Sequence, residues 1–175
     1  MSFRDMVRRD ARVKKLLGML ETPVYSLNIA KLEKEIVSIQ KIRMFRSLEK
    51  AQVTKRFYET SIDVILENSR DRGRLAEIHL HVTIKKNKLK KHISSLKKYL
   101  AYTYGERLKR IATTAKDREA VIDSLIIEAI ERLDDFNSLL ENADFVIKDI
   151  ESASWDAKEI VKVFEIQSER KMVRV

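Results

Sequence analysis

The sequence contains no cysteine, one proline and three glycines in 175 residues. Without cysteine there can be no disulfide and no thiolate metal site, a usage that fits a reducing, cytoplasmic compartment. So few breakers argue against a sheet protein rich in turns. No apolar run approaches the roughly 18–20 residues needed to cross a bilayer. The first residues lack the apolar core of a secretory signal. There is no Gly-rich phosphate loop, zinc-protease motif or dinucleotide fingerprint, so the expectation is a non-enzyme with no cofactor.

What the chain does have is charge, at 36% of residues, with a net +9. The charge is uneven. Residues 1–110 hold 27 Lys and Arg against 12 Asp and Glu; residues 111–175 hold 9 against 15. A basic part and an acidic part of one chain attract each other.

Apolar residues recur every three or four positions, which predicts an all-α protein. Residues 1–22 read as a basic amphipathic helix. Phe3, Met6, Val7, Val13, Leu16, Leu17 and Leu20 share its broad apolar face, and Arg4, Arg8, Arg9, Arg12, Lys14 and Lys15 supply its charge. Such a helix suits an anionic membrane surface, or packs on its own domain. Residues 23–115 read as a long antiparallel two-helix hairpin. Its first seam runs through Ile29, Leu32, Ile36 and Ile39 to Ile62 and Ile65; its second runs from Leu75, Ile78 and Val82 to Leu108 and Ile111. The polar stretch Asn68-Ser69-Arg70-Asp71-Arg72-Gly73 suggests the tip, near 68–74, because Asn, Ser and Asp suit caps and Gly suits a helix end. Gly105 marks a possible bend. Residues 116–167 read as shorter acidic helices packed on the hairpin, with a joint at Glu151–Asp156 and a last short helix over 155–167. Crowded β-branched residues leave a strand open at 160–166. Residues 168–175 read as a mobile tail.

Few side chains suggest metal chemistry. His79 and His81 lie two apart, on different faces of a helix, and His92 is distant. Glu128, Glu131, Asp134 and Asp135 space like helix carboxylates of di-iron bundles, but no Glu-x-x-His accompanies them, so they read as a solvated or docking face. Trp155, the only tryptophan, is expected to anchor the last helix to the core. The densest charge lies at 85–98, where Lys85, Lys86, Lys88, Lys90, Lys91, Lys97 and Lys98 meet no acid. A basic rod of this kind has three natural partners: nucleic-acid phosphates, anionic lipid headgroups, or an acidic helix. It carries no recognition-helix module and no interleaved aromatics for single-strand stacking.

The order of parts resembles the ESCRT-III family, in particular its archaeal cell-division members of CdvB type. The likeness covers about residues 24–112. It is strongest from "SRDRGRLAEIHLHVTIKK", where Arg74 and Ala76 match the start of the second helix, to "LAYTYGERLKRI", where Arg107, Leu108 and Ile111 match a later signature. The resemblance implies a short family member without a winged-helix segment. It implies self-association into polymers through the hairpin, binding to anionic membranes and remodelling of membrane necks in division or budding. Paralogues and an AAA-type ATPase would be further partners. Lipid contacts would fall to Arg4, Arg8, Arg9, Arg12, Lys14, Lys15, Lys85, Lys86, Lys90 and Lys91. Asp134, Asp135, Glu141 and Asp144 would hold the acidic segment against the hairpin as an autoinhibitory latch. The competing expectations are a nucleic-acid-associated coiled-coil protein and a plain helical scaffold.

Overall fold

A computed structural model describes the backbone of residues 2–45 and 55–172, and the side chains of residues 2–41 and 61–169. Every regular element among them is an α-helix: α1 Phe3–Arg8, α2 Ala11–Leu20, α3 Ile29–Phe45, α4 Lys55–Thr103, α5 Gly105–Ile111, α6 Ala115–Leu125 and α7 Ile127–Met172. The chain forms two compact units. One combines residues 1–29 with 81–139, the other residues 30–80 with 140–175.

The long helices follow a seven-residue rule. On α4, Ser61, Asn68, Leu75, Val82, Leu89 and Leu96 are all buried, each seven residues after the last. On α7, Ala129, Phe136, Ala143, Ile150 and Ala157 do the same. A seven-residue repeat keeps one seam of a helix against its neighbour. The alternation of Ala with Phe and Ile on α7 sets small beside large, which lets side chains of facing helices interdigitate. Each buried Leu, Ile or Phe contributes about 1.5–3 kcal/mol.

This repeat overturns the expected hairpin tip. Residues 68–74 lie inside α4, about a third of the way along it. Asn68 is buried in the seam, where its side-chain amide donates to Ser154 Oγ at 3.2 Å. Gly73 is helical, without positive φ. Weak helix formers cost up to about 1 kcal/mol each, and tertiary packing overrides that. The chain passes from α3 to α4 through residues 46–54, which lie outside the described residues, as do the side chains of the expected seam residues Ile42, Phe45, Leu48 and Tyr58.

In the unit built from residues 30–80 and 140–175, α4 and α7 run antiparallel. Asn68, Arg72 and His79 meet Ser154, Glu151 and Asp144 in reversed order, the last two pairs at 2.8 and 3.3 Å. α3 contributes Ile36 and Ile39 to the core, and Glu35 to Arg74 at 2.5 Å. That contact also fixes direction. Were α3 parallel to α4, Phe45 would sit about 43 Å from Lys55 at 1.5 Å per residue, beyond the ~36 Å that ten extended steps can span. The Arg74 guanidinium, through hydrogen bond and charge, holds the Glu35 carboxyl below its usual range.

In the unit built from residues 1–29 and 81–139, two short helices replace the expected single N-terminal one. Ser2 and Asp5 form a reciprocal capping box on α1, and Asp10 accepts from the Arg12 N–H to start α2. Val7, Val13, Leu16, Leu20 and Tyr25, with Leu89, Leu96, Leu108, Ile122, Ile126 and Phe136, are the buried apolar residues that make the core of this unit. α4 ends at Thr103 and α5 begins at Gly105, so the expected bend is present there. The expected joint at Glu151–Asp156 is absent: α7 is helical from Ile127 to Met172, through the possible strand at 160–166 and into the expected tail.

Candidate functional site

The acid-free lysine run occupies α4 from residue 81 onward. The nearest acids along the chain are Glu77 and Glu106. The core seam sorts these lysines by face. Lys85 sits between Val82 and Leu89 on the seam and is buried. Its ammonium donates to the backbone carbonyls of Pro23, Val24 (3.3 Å) and Ser26 (3.2 Å). Burial, with the nearby Lys88 charge, pulls its pKa below the usual lysine value, while three carbonyls favour the charged form. The expected lipid contact at Lys85 is therefore corrected: this side chain latches the segment after α2 onto α4.

Opposite the seam, Ile84, Lys88, Lys91, Ser95, Lys98 and Tyr102 follow one another at intervals of three or four, and all are exposed. Tyr102 is 91% exposed. The face therefore combines three ammonium groups with an isoleucine and a tyrosine, and carries no acid. Lys86 is half-buried, and Lys90 is exposed on the flank. Lys97 turns inward to Asp123 at 2.6 Å. Lys88, Lys98, Ile84 and Tyr102 were not among the expected contact residues. The seam through Leu89, Ile93, Leu96 and Leu100 would have located them, since they lie half a turn away from it.

α2 lies beside this face. Lys14 and Lys15 are exposed on its outer side, and Arg4 and Arg9 are exposed on and just after α1. Arg8 is partly committed, donating to Glu128 at 2.8 Å. The Arg12 guanidinium stacks 4.0 Å from the centre of the Tyr99 ring. Between α2 and α4 lies an open cleft of about 230 Å³, with Leu16, Met19 and Leu96 at its floor and Arg12, Lys15 and Ser95 at its rim. An apolar floor under a basic rim matches an amphiphile better than a free anion.

A hydrogen-bonded hub sets the position of α2. Asp10 accepts from the hydroxyls of Tyr99 (2.9 Å) and Tyr104 (2.8 Å) while capping α2. Burial would raise the Asp10 pKa, but the Arg12 N–H and the two tyrosine donors outweigh it and lower it. Burial, reinforced by the Asp10 carboxylate, pushes Tyr104 up to about 12. Tyr25, whose pKa burial raises, shares a hydrogen bond with His92 Nδ1.

The remaining candidates are dispersed. His79 faces Asp144, and His81 is exposed. Among the described residues no group of three His, Asp or Glu is placed to hold a metal ion. Glu131, Asp134, Asp135 and Glu141 are exposed on α7. Trp155 does not anchor a helix to the core: it is 67% exposed. It lies five residues beyond Ile150, on the far side of α7 from the seam. Arg74 and Ala76, expected at a helix start, lie well inside α4, whereas Arg107, Leu108 and Ile111 lie on α5. Among the described residues no helix is long and apolar enough to cross a membrane. No protein-family model, curated protein or solved structure matches the chain.

Proposed function

We propose that this is a non-enzymatic helical assembly protein that docks on anionic membrane surfaces, in the manner of ESCRT-III-type proteins. The observation that carries this reading is the outward face of α4. Three lysines there offer about 1 kcal/mol each near an anionic surface. Ile84 and Tyr102 at its ends suit the headgroup boundary, where apolar and amphipathic side chains are favoured. Lys14, Lys15, Arg9 and the cleft beside α2 extend the same surface. A duplex phosphate backbone would use the lysines but leave Ile84 and Tyr102 without a role, which favours lipid over nucleic acid. Of the four expected latch residues, Asp144 faces His79 on α4, while Asp134, Asp135 and Glu141 are solvent-exposed on α7, so the reading assigns no latch to these three.

Co-sedimentation tests it. Vesicles rich in phosphatidylserine should pellet the protein at physiological salt, and neutral phosphatidylcholine vesicles should not. Duplex DNA added in excess should not strip it from the anionic vesicles. Equal pelleting with both vesicles, or full transfer to DNA, would overturn the reading.

A further inference from the structure

α7 carries a second outward face. Between residues 145 and 166, Phe145, Trp155, Val163 and Ile166 are 63, 67, 46 and 41% exposed, and they lie opposite the buried row Ala143, Ile150 and Ala157. A helix that is polar outside needs none of these residues there. The charges among them are of both signs: Lys148 and Lys162 with Asp156 and Glu159, all exposed. This mixture sets the face apart from the acid-free face of α4, and the carboxylates would oppose an anionic surface.

We infer that this face of α7 binds the same face of a second copy of the chain, antiparallel, forming a two-fold dimer. The charge pattern selects both partner and direction. A parallel pair would stack Lys148 on Lys148 and Glu159 on Glu159. The antiparallel pair that sets Trp155 over the small Ser152 of the second copy also sets Lys148 opposite its Glu159, and Asp156 opposite its Glu151, a like-charge pair offset by Arg72, which lies 2.8 Å from Glu151. Two-fold symmetry repeats each of these contacts. In the same register the Phe145 ring meets the Lys162 stem and Val163 of the second copy, an apolar contact with a cation at its edge. A small residue under the tryptophan and opposite charges beside it are what a self-complementary helix face requires.

The contact supplies the self-association half of the proposed function and does not depend on the lipid half. Analytical ultracentrifugation of the full chain, without vesicles, tests it, with the emission of Trp155 read in parallel as the sole tryptophan signal. The expected result is a monomer–dimer equilibrium at micromolar concentration and a blue shift of emission as dimer forms. Trp155→Ala should shift the chain to monomer with its helical circular dichroism unchanged. Lys148→Glu should weaken the dimer about tenfold, and adding Glu159→Lys should restore it. A monomer at all concentrations, or self-association indifferent to these substitutions, would overturn the inference. Anionic vesicle binding by a strictly monomeric protein would sink this inference and leave the membrane reading standing. A charge-dependent dimer that ignores vesicles would do the reverse.

Discussion

The outward faces of α4 and α7 are alike in one respect and opposite in another. Each lies half a turn from a seven-residue buried row, and each exposes apolar side chains that a solvated helix face would lack. On α4 the residues between Ile84 and Tyr102 are basic or neutral. On α7 the charged residues between Phe145 and Ile166 are of both signs. Apolar content says that a face meets something; the charges between the apolar residues say what. A single sign suits a surface of the other sign, and a mixed pattern suits a copy of itself.

The comparison can be broken most severely on the α4 side. Replacing Lys88, Lys91 and Lys98 together with Ala should weaken binding to anionic vesicles by about 3 kcal/mol, roughly 150-fold. Thermal stability should stay within about 0.5 kcal/mol, because all three side chains are solvated. Co-sedimentation and differential scanning calorimetry would read the two effects separately. The same substitutions should leave dimerisation through α7 unaffected.

Lys85 sharpens the contrast from within the same run. Lys85→Ala leaves the carbonyls of Pro23, Val24 and Ser26 without their shared donor and should cost about 2–3 kcal/mol of stability. Urea denaturation would report it as a lower midpoint. Lys91→Ala, six residues on, should leave the midpoint essentially unchanged.

Asp10 should cost somewhat less. Asp10→Asn removes a charged cap and the acceptor for two tyrosines, at about 1–2 kcal/mol near neutral pH. The sign of its pH dependence follows from its lowered folded pKa. The carboxylate's stabilisation is fully present above the unfolded value of about 3.9 and is lost as pH falls through the lower folded value. The urea midpoints of the parent and Asp10→Asn should therefore converge as pH drops below about 4.

The smallest effect tests the path of α4 itself. A turn with positive φ at Gly73 would make alanine there destabilising. In the helix a Cβ on Gly73 meets no atom within 4 Å, so Gly73→Ala should stabilise by about 0.5–1 kcal/mol. A loss of stability in calorimetry would return the tip to residues 68–74.

The all-helical fold and most of its core were legible in the sequence. The seam from Leu75 to Leu108 is buried as its spacing implies, apart from the half-buried Tyr104, but Ile111, its expected last member, is 53% exposed. The hairpin tip was not legible by composition, because Asn68-Ser69-Arg70-Asp71-Arg72-Gly73 has the residues of a turn. The seven-residue row from Ser61 through Asn68 to Leu75 passes straight through it, and that row is the signal that a turn would have broken. The same row explains Lys85, which occupies a core position between Val82 and Leu89, so charge density alone misplaced it at the surface. Trp155 was misplaced for the complementary reason: its size suggested the core, while its register from Ile150 puts it outside. In the candidate site, the identity of the basic run was readable; which of its lysines faces outward depended on the seam.

The central claim is that the face around Ser95 on α4 meets an anionic membrane while the face around Ser152 on α7 does not. The chain has no cysteine, so Ser95→Cys and Ser152→Cys each give one labelling site for an environment-sensitive fluorophore. With phosphatidylserine vesicles the account expects a blue shift at 95, none at 152 beyond that caused by dimerisation, and none at either position with neutral vesicles. A protein that pellets with anionic vesicles while the probe at 95 stays in water, or while 152 shifts as much as 95, would contradict it.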